Sequence, residues 1–209
     1  MRARGGWRAI GLAAVLLGAT FAARAALPPP EGTEHGDALT GQLLVAAPEL
    51  VDPHFAHAVV LLVRHNDSGA LGIVLNRPLG SQNWADLLES VGESIEGVAG
   101  DVPLFDGGPV QHSAGFVVHS ADYRISGTID VDGRVAVTVN PAILRAIATK
   151  QGPLRWLIAL GYAGWGPGQL EHELALHGWI VVPSDPQLIF DEDRSKLWDT
   201  ARAREAVPL

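Results

Sequence analysis

Two apolar runs, 58–64 (AVVLLVR) and 70–76 (ALGIVLN), flank a turn cluster that opens at Arg64 and closes at Gly69, and this arrangement constrains the fold more than any other feature. A connection that short suits a hairpin, whereas a parallel crossover needs roughly a dozen residues or more. Antiparallel pairing is therefore built in from the start of the folded region. Residues 42–46 (QLLVA) predict one more strand just upstream, and 115–119 (GFVVH), 154–160 and 179–183 (WIVVP) predict others. A second hairpin is expected from 128–131 and 134–139, because the intervening Asp132-Gly133 suits the positive φ values of a type I′ turn.

Helices fall between these runs. Ser81 is positioned as the N-cap of a helix reaching Val91, with Trp84, Leu87, Leu88 and Val91 on one face. Asn140 and Pro141 open a second, whose Ile143, Leu144, Ile147 and Ala148 make an apolar stripe. Residues 105–109 (FDGGP) predict a turn, and the glycine-dense 161–168 (GYAGWGPG) a strand-to-helix turn leading into a helix over 168–177. A last amphipathic helix is expected over 193–205, carrying Leu197 and Trp198. Hairpins followed by interleaved helices predict an α+β fold with a mixed, mainly antiparallel sheet. No strand leads into G-x-G-x-x-G, which argues against a dinucleotide-binding parallel fold.

The 209 residues are 47% apolar with mean hydropathy +0.17, as expected of one globular domain. Cysteine is absent, which excludes disulfide frameworks, thiolate metal sites and thiol catalysis. Residues 1–25 carry Arg2, Arg4, Arg8 and Arg24 without an acid, and 10–21 (IGLAAVLLGATF) is an apolar core too short to span a bilayer. With Ala23-Arg24-Ala25 before Ala26, this has the form of a cleaved signal peptide, predicting a periplasmic or secreted protein; an uncleaved extension on a cytoplasmic protein is the alternative. Residues 26–38 read as a flexible Pro- and Gly-rich leader, and 39–209 as the single folded domain. Cleavage would remove four of the 15 basic residues and none of the 23 acidic ones. Such an acidic chain is poorly suited to neutralising nucleic-acid phosphates, so direct nucleic-acid binding is not expected.

Four constellations could carry chemistry. The Gly161–Gly168 segment entering a helix has the form of an anion site, but it lacks Gly-Lys-Ser/Thr, and Glu171 and Glu173 near the first turn would repel a phosphate. His172 and His177 are five residues apart, not the four that place two imidazoles on one helix face, so no metal is expected there. Gln111-His112-Ser113-Ala114-Gly115 resembles a nucleophile elbow with His119 and Asp122 nearby, although a strand, not a helix, follows it. Finally, His65 and Arg77 bracket the strand 70–76: the first sits in an Asx-type turn, and the second could clamp a carboxylate or phosphate or pair with one of the many acids.

Taken together, LLVAAPELVDPHFAHAVVLLVRHNDSGALGIVLNRPL, then LFDGGPV, then ALGYAGWGPGQLEHELALHGWIVVPSDPQLIFD and the closing Leu197-Trp198 resemble the YqgE/AlgH family, whose members are labelled transcriptional regulators. The resemblance covers most of the chain after residue 39. It implies an α+β fold in which a bifurcated sheet encloses a small barrel surrounded by helices, and it implies no established catalytic activity or cofactor. The best-matched polar and turn positions map to His65, Asn76, Arg77, Gly107, Gly108, Tyr162, Trp165, Gln169 and Glu171, the expected binding residues. Pro167 stands where the family more often has a small residue, and the leader is unusual for it. The expectation is a non-enzymatic regulatory or binding module for an unidentified protein or small ligand; the alternatives are a transcriptional regulator and a hydrolase using Ser113.

Overall fold

The computed structural model describes residues 39–190 and 193–204. The expected signal peptide and leader lie outside them. The elements run β1 (Leu43–Ala46), β2 (Val59–Asn66), β3 (Gly69–Val74), β4 (Pro78–Asn83), α1 (Trp84–Ser90), β5 (Asp101–Asp106), β6 (Val110–Ser120), β7 (Thr128–Asp130), β8 (Val135–Thr138), α2 (Ala142–Ala148), β9 (Trp156–Trp165), α3 (Gln169–Ala175), β10 (Trp179–Val182), α4 (Pro186–Phe190) and α5 (Leu197–Ala203).

The strands form one sheet in the order β10-β1-β2-β3-β9-β6-β8-β7, with β4 and β5 branching off at β9. Every pairing is antiparallel except that of β5 with β9. The expected α+β class with a mixed, mainly antiparallel sheet is what the chain adopts. β9 is the spine: its C-terminal part pairs with β3, while its N-terminal part lies between β5 and β6. The fork follows from this, since a single long strand serves different neighbours along its length.

Three apolar clusters hold the layers. One is built on Leu43, Leu61, Ile73, Phe116 and Val137 and is covered by Leu188, Ile189, Leu197 and Ala201 from α4 and α5. The opposite face of β1 and β2, with Trp165 of β9, buries Leu44, Val60, Leu62 and the indole under Leu170 of α3. A third cluster joins Leu87, Leu88, Leu144 and Ile147 of α1 and α2 to Val117 and Ile158. Because helices cover both faces, β2 and β3 are buried almost continuously and carry no polar alternation.

Several local expectations are corrected. Ser81 lies within β4, and the N-cap is Asn83, whose Oδ1 accepts the Ala85 N–H at 2.9 Å. Phe105 and Asp106 end β5, so only residues 107–109 form the turn. Between β7 and β8 the turn is not type I′: Gly133 has φ +77° but Asp132 does not have positive φ, and the Val131 N–H reaches the Val135 carbonyl at 3.0 Å. Acidic side chains set that turn, with Asp130 accepting the Gly133 N–H and Asp132 those of Arg134 and Val135. The glycine-dense segment is strand as far as Trp165, α3 stops at Ala175, and α4 had no counterpart among the expected elements.

Candidate functional site

The site is built on a row of residues crossing three strands. His65 pairs with Ala70 and Ala70 with Trp165, so the imidazole, a methyl and an indole stand side by side on one face of β2, β3 and β9. α3 lies across this row. Leu170 is its only fully buried side chain, little apolar area to fix a seven-residue helix. Hydrogen bonds from ring nitrogens do the rest. His65 Nε2 lies 2.6 Å from Glu171 Oε1, while Glu173 Oε2 accepts the indole N–H groups of Trp165 at 2.9 Å and Trp179 at 2.8 Å. Gln169 closes the set: it donates to Glu173 Oε1 at 2.9 Å and accepts the Gly166 N–H at 3.1 Å. Beneath α3, Phe55 stacks on Trp165 and both meet Trp179 edge-on, with centroids 5.4 to 6.1 Å apart.

Glu171 is held below the ordinary carboxylate range by its own backbone N–H and by His65, so it is the ionised acceptor and Nε2 carries the proton. His65 Nδ1 is buried without a hydrogen-bond partner. The Glu171 carboxylate stays 54% exposed, and Gln169 and His172 beside it are exposed as well. An anionic and amide-bearing strip thus faces solvent from a helix whose underside is pinned to the sheet.

At the other end of β3, Asn76 and Arg77 work on the loop between β1 and β2. Asn76 accepts the Val59 N–H at 2.9 Å and donates to the His57 carbonyl at 2.8 Å. The Arg77 guanidinium donates to the carbonyls of Ala56, at 3.1 Å, and Pro53. The anticipated salt bridge of Arg77 is replaced by this carbonyl cap. Gly107 and Gly108 lie where the chain crosses β9: a Cβ on Gly108 would meet the Tyr162 carbonyl carbon at 2.3 Å, and one on Gly161 would meet the Gly108 oxygen at 2.5 Å. Tyr162 packs edge-on against Phe116 at 5.8 Å.

Of the nine expected positions, the structure therefore brings His65, Trp165, Gln169 and Glu171 into one cluster. Asn76 and Arg77 form a second, and Gly107, Gly108 and Tyr162 belong to the strand crossing between them. Glu173, Trp179 and Phe55 were missed as members of the first cluster. Glu173 was legible in part, since it lies four residues after Gln169 on one helix face, but its two indole partners lie on separate strands. Ser113 and His119 sit six residues apart on β6, about 20 Å in an extended chain, and do not meet. The His119 ring is fully buried, with Nδ1 on the Ser120 carbonyl and Nε2 on the Thr138 hydroxyl, both at 2.8 Å. Its pKa is lowered, chiefly by burial. His177 falls beyond α3 in a left-handed turn with φ +56°, outside the helix that carries His172.

A model of the AlgH-like family matches residues 43–209. The chain is similar to a UPF0301 protein of Sphingopyxis alaskensis, 44% identical over 168 residues that make 80% of this chain and 89% of that one. It is also similar to a UPF0301 protein of Rhodospirillum rubrum, 43% identical over 174 residues, 83% of this chain and 91% of that one. Among solved structures, the solution structure of the AlgH protein from Pseudomonas aeruginosa superimposes with a TM-score of 0.67 and 38% identity, covering 81% of this chain and 90% of that one.

Proposed function

The chain belongs to the AlgH-like family, and from that premise we propose that it acts as a non-enzymatic regulatory module that binds a partner through the outer face of α3 and the neighbouring tip of the β2–β3 hairpin. The observation that carries this is the mounting of α3. Its exposed Gln169, Glu171 and His172 project from a helix whose Glu171 and Glu173 are fixed by three ring nitrogens of the sheet. Side chains presented on a preorganised support lose little entropy on binding, which favours recognition. Supporting it, the buried polar groups of the other clusters are engaged in holding loops and strands together.

The test is capture of partners from cells making Gln169→Ala or His172→Ala protein, neither of which touches the apolar clusters. Loss of a partner that the unaltered chain retains, at unchanged melting temperature, supports the reading; an identical partner set in both variants removes it. The regulatory label of the family enters as action through such a partner and not through direct DNA contact, given the acidic composition. A salt-sensitive gel shift with duplex DNA at physiological ionic strength would overturn that choice. The compartment in this reading is outside the cytoplasm, reached through cleavage after Ala25, and N-terminal sequencing of protein from fractionated cells decides it.

A further inference from the structure

Among the described residues β10 ends the sheet, and its hydrogen-bonding register can be read from its neighbours. Ala47 donates to the Gly178 carbonyl at 3.0 Å, and β1 pairs Val45 with Ile180 and Leu43 with Val182. In an antiparallel ladder the bonded pairs alternate, so Ile180 and Val182 direct their N–H and C=O groups at β1. Trp179 and Val181 therefore direct theirs outward, at the open edge. The strand, Trp-Ile-Val-Val, has high β propensity and lacks the charge or proline that commonly blunts such an edge, and Val181 is 37% exposed.

Beside this edge runs a shallow open groove lined by Glu49, His177, Val181 and Arg202. Its two opposite charges are both without an ion-pair partner among the described residues: Glu49 makes no salt bridge, and the Arg202 guanidinium lies over the Trp198 ring at 4.5 Å. The Arg202 Nε is buried with no hydrogen-bond partner. A surface that carries one acid, one base and one outward-facing strand edge is complementary to itself under a twofold rotation whose axis passes between the two charges.

We infer that β10 is a homodimerisation edge: two copies of the chain pair their β10 strands antiparallel about a twofold axis, and Glu49 of each copy meets Arg202 of the other. With the axis at Ile180, the outward groups of Trp179 in one copy bond those of Val181 in the other, giving two such pairs and one continuous sheet. The like net charge of the two copies opposes this only weakly at physiological salt, where charges more than about 8 Å apart are screened.

The experiment is sedimentation equilibrium on protein purified from cells expressing the full chain. A concentration-dependent monomer–dimer equilibrium is expected. Val181→Pro removes an outward N–H, which an edge strand tolerates, and should leave a folded monomer. Glu49→Arg and Arg202→Glu should each weaken the dimer about tenfold, because symmetry doubles every charge contact, and the double reversal should restore it. A chain that stays monomeric at all concentrations overturns the inference. So does a dimer unaffected by Val181→Pro, or paired charge reversals that fail to rescue one another.

Discussion

The carboxylate of Glu171, in the first turn of α3, accepts the Nε2–H of His65, near the end of β2, across 106 residues of chain and 2.6 Å of space. With this bond the β2–β3 hairpin also holds a helix formed near the other end of the fold. Because His65 is buried and Glu171 half-exposed, the pair joins the interior to the proposed recognition face.

Replacing Glu171 with Gln keeps the shape and removes the charge from that bond. The expected loss is about 1 kcal/mol, since charge-assisted bonds exceed neutral ones and exposure discounts the difference. The native carboxyl is lowered below its usual 4.5, so its contribution is complete above that value and is lost as pH falls through the lowered one. Urea midpoints of the two proteins should differ at pH 7 and converge in acid; a constant difference would refute the assignment.

Glu173→Ala strands two indole N–H groups at once, those of Trp165 and Trp179. The cost should be about 2 to 4 kcal/mol, counted as two unsatisfied buried donors. The two tryptophans report on the change directly: their fluorescence should shift to the red as α3 loosens, and unchanged emission with unchanged stability would contradict the anchoring role.

His119 supplies a pH dependence of its own. Burial holds its folded pKa below the 6.5 of a free imidazole. Above about 6.5 the ring is neutral in both states and its buried bonds count fully. Below that, the unfolded chain takes up the proton first, so stability declines as pH falls from about 6.5 toward the folded value. This window opens at a higher pH than that of the lowered carboxylates, which starts at 4.5 or below. Between pH 7.5 and 5 the denaturation free energy of His119→Gln should fall less steeply than that of the native protein; equal slopes would exclude a buried neutral ring.

Gly108→Ala and Gly161→Ala should each prevent the close crossing of β9 or cost more than about 3 kcal/mol. Both need positive φ, and each new Cβ would lie within 2.5 Å of backbone atoms that cannot yield. Gly133→Ala is the control: its φ is also positive, but nothing lies within 4 Å of the added methyl. Its cost should stay near 1 to 2 kcal/mol, the strain of the left-handed region alone. Thermal melts of the three variants in parallel separate crowding from strain.

The hairpin of β2 and β3, the Asp-Gly connection of β7 and β8 and the helix opened by Asn140 were legible because each depends on a few consecutive residues. The N-cap itself falls one residue later than expected, on Pro141, which makes no side-chain cap bond, while Asn140 just ahead of it accepts the Ala142 N–H at 3.0 Å. Ser81 misled for a related reason: as a local pattern it caps as well as Asn83, and only pairing of β4 with β5 draws it into a strand. Glycine density at 161–168 suggested a loop. In the fold these glycines serve a strand that must touch another backbone, and composition cannot distinguish the two uses.

Of the site, the sequence supplied the residue types and the two turns near which they cluster. It did not supply the partition of those residues, in which Arg77 caps carbonyls while His65 and Trp165 anchor a helix.

By itself, then, the sequence determined the antiparallel character of the sheet, the α+β class and the absence of sulfur chemistry, because turn length, periodicity and composition act over short range and need no knowledge of distant neighbours. Tertiary structure alone decided that Glu173 would gather two indoles from separate strands, that His119 would be sealed from solvent, and that β10 would end the sheet among the described residues. These depend on which surfaces meet after the chain has closed long loops, a choice made by the packing of the whole apolar interior and by no single stretch of residues.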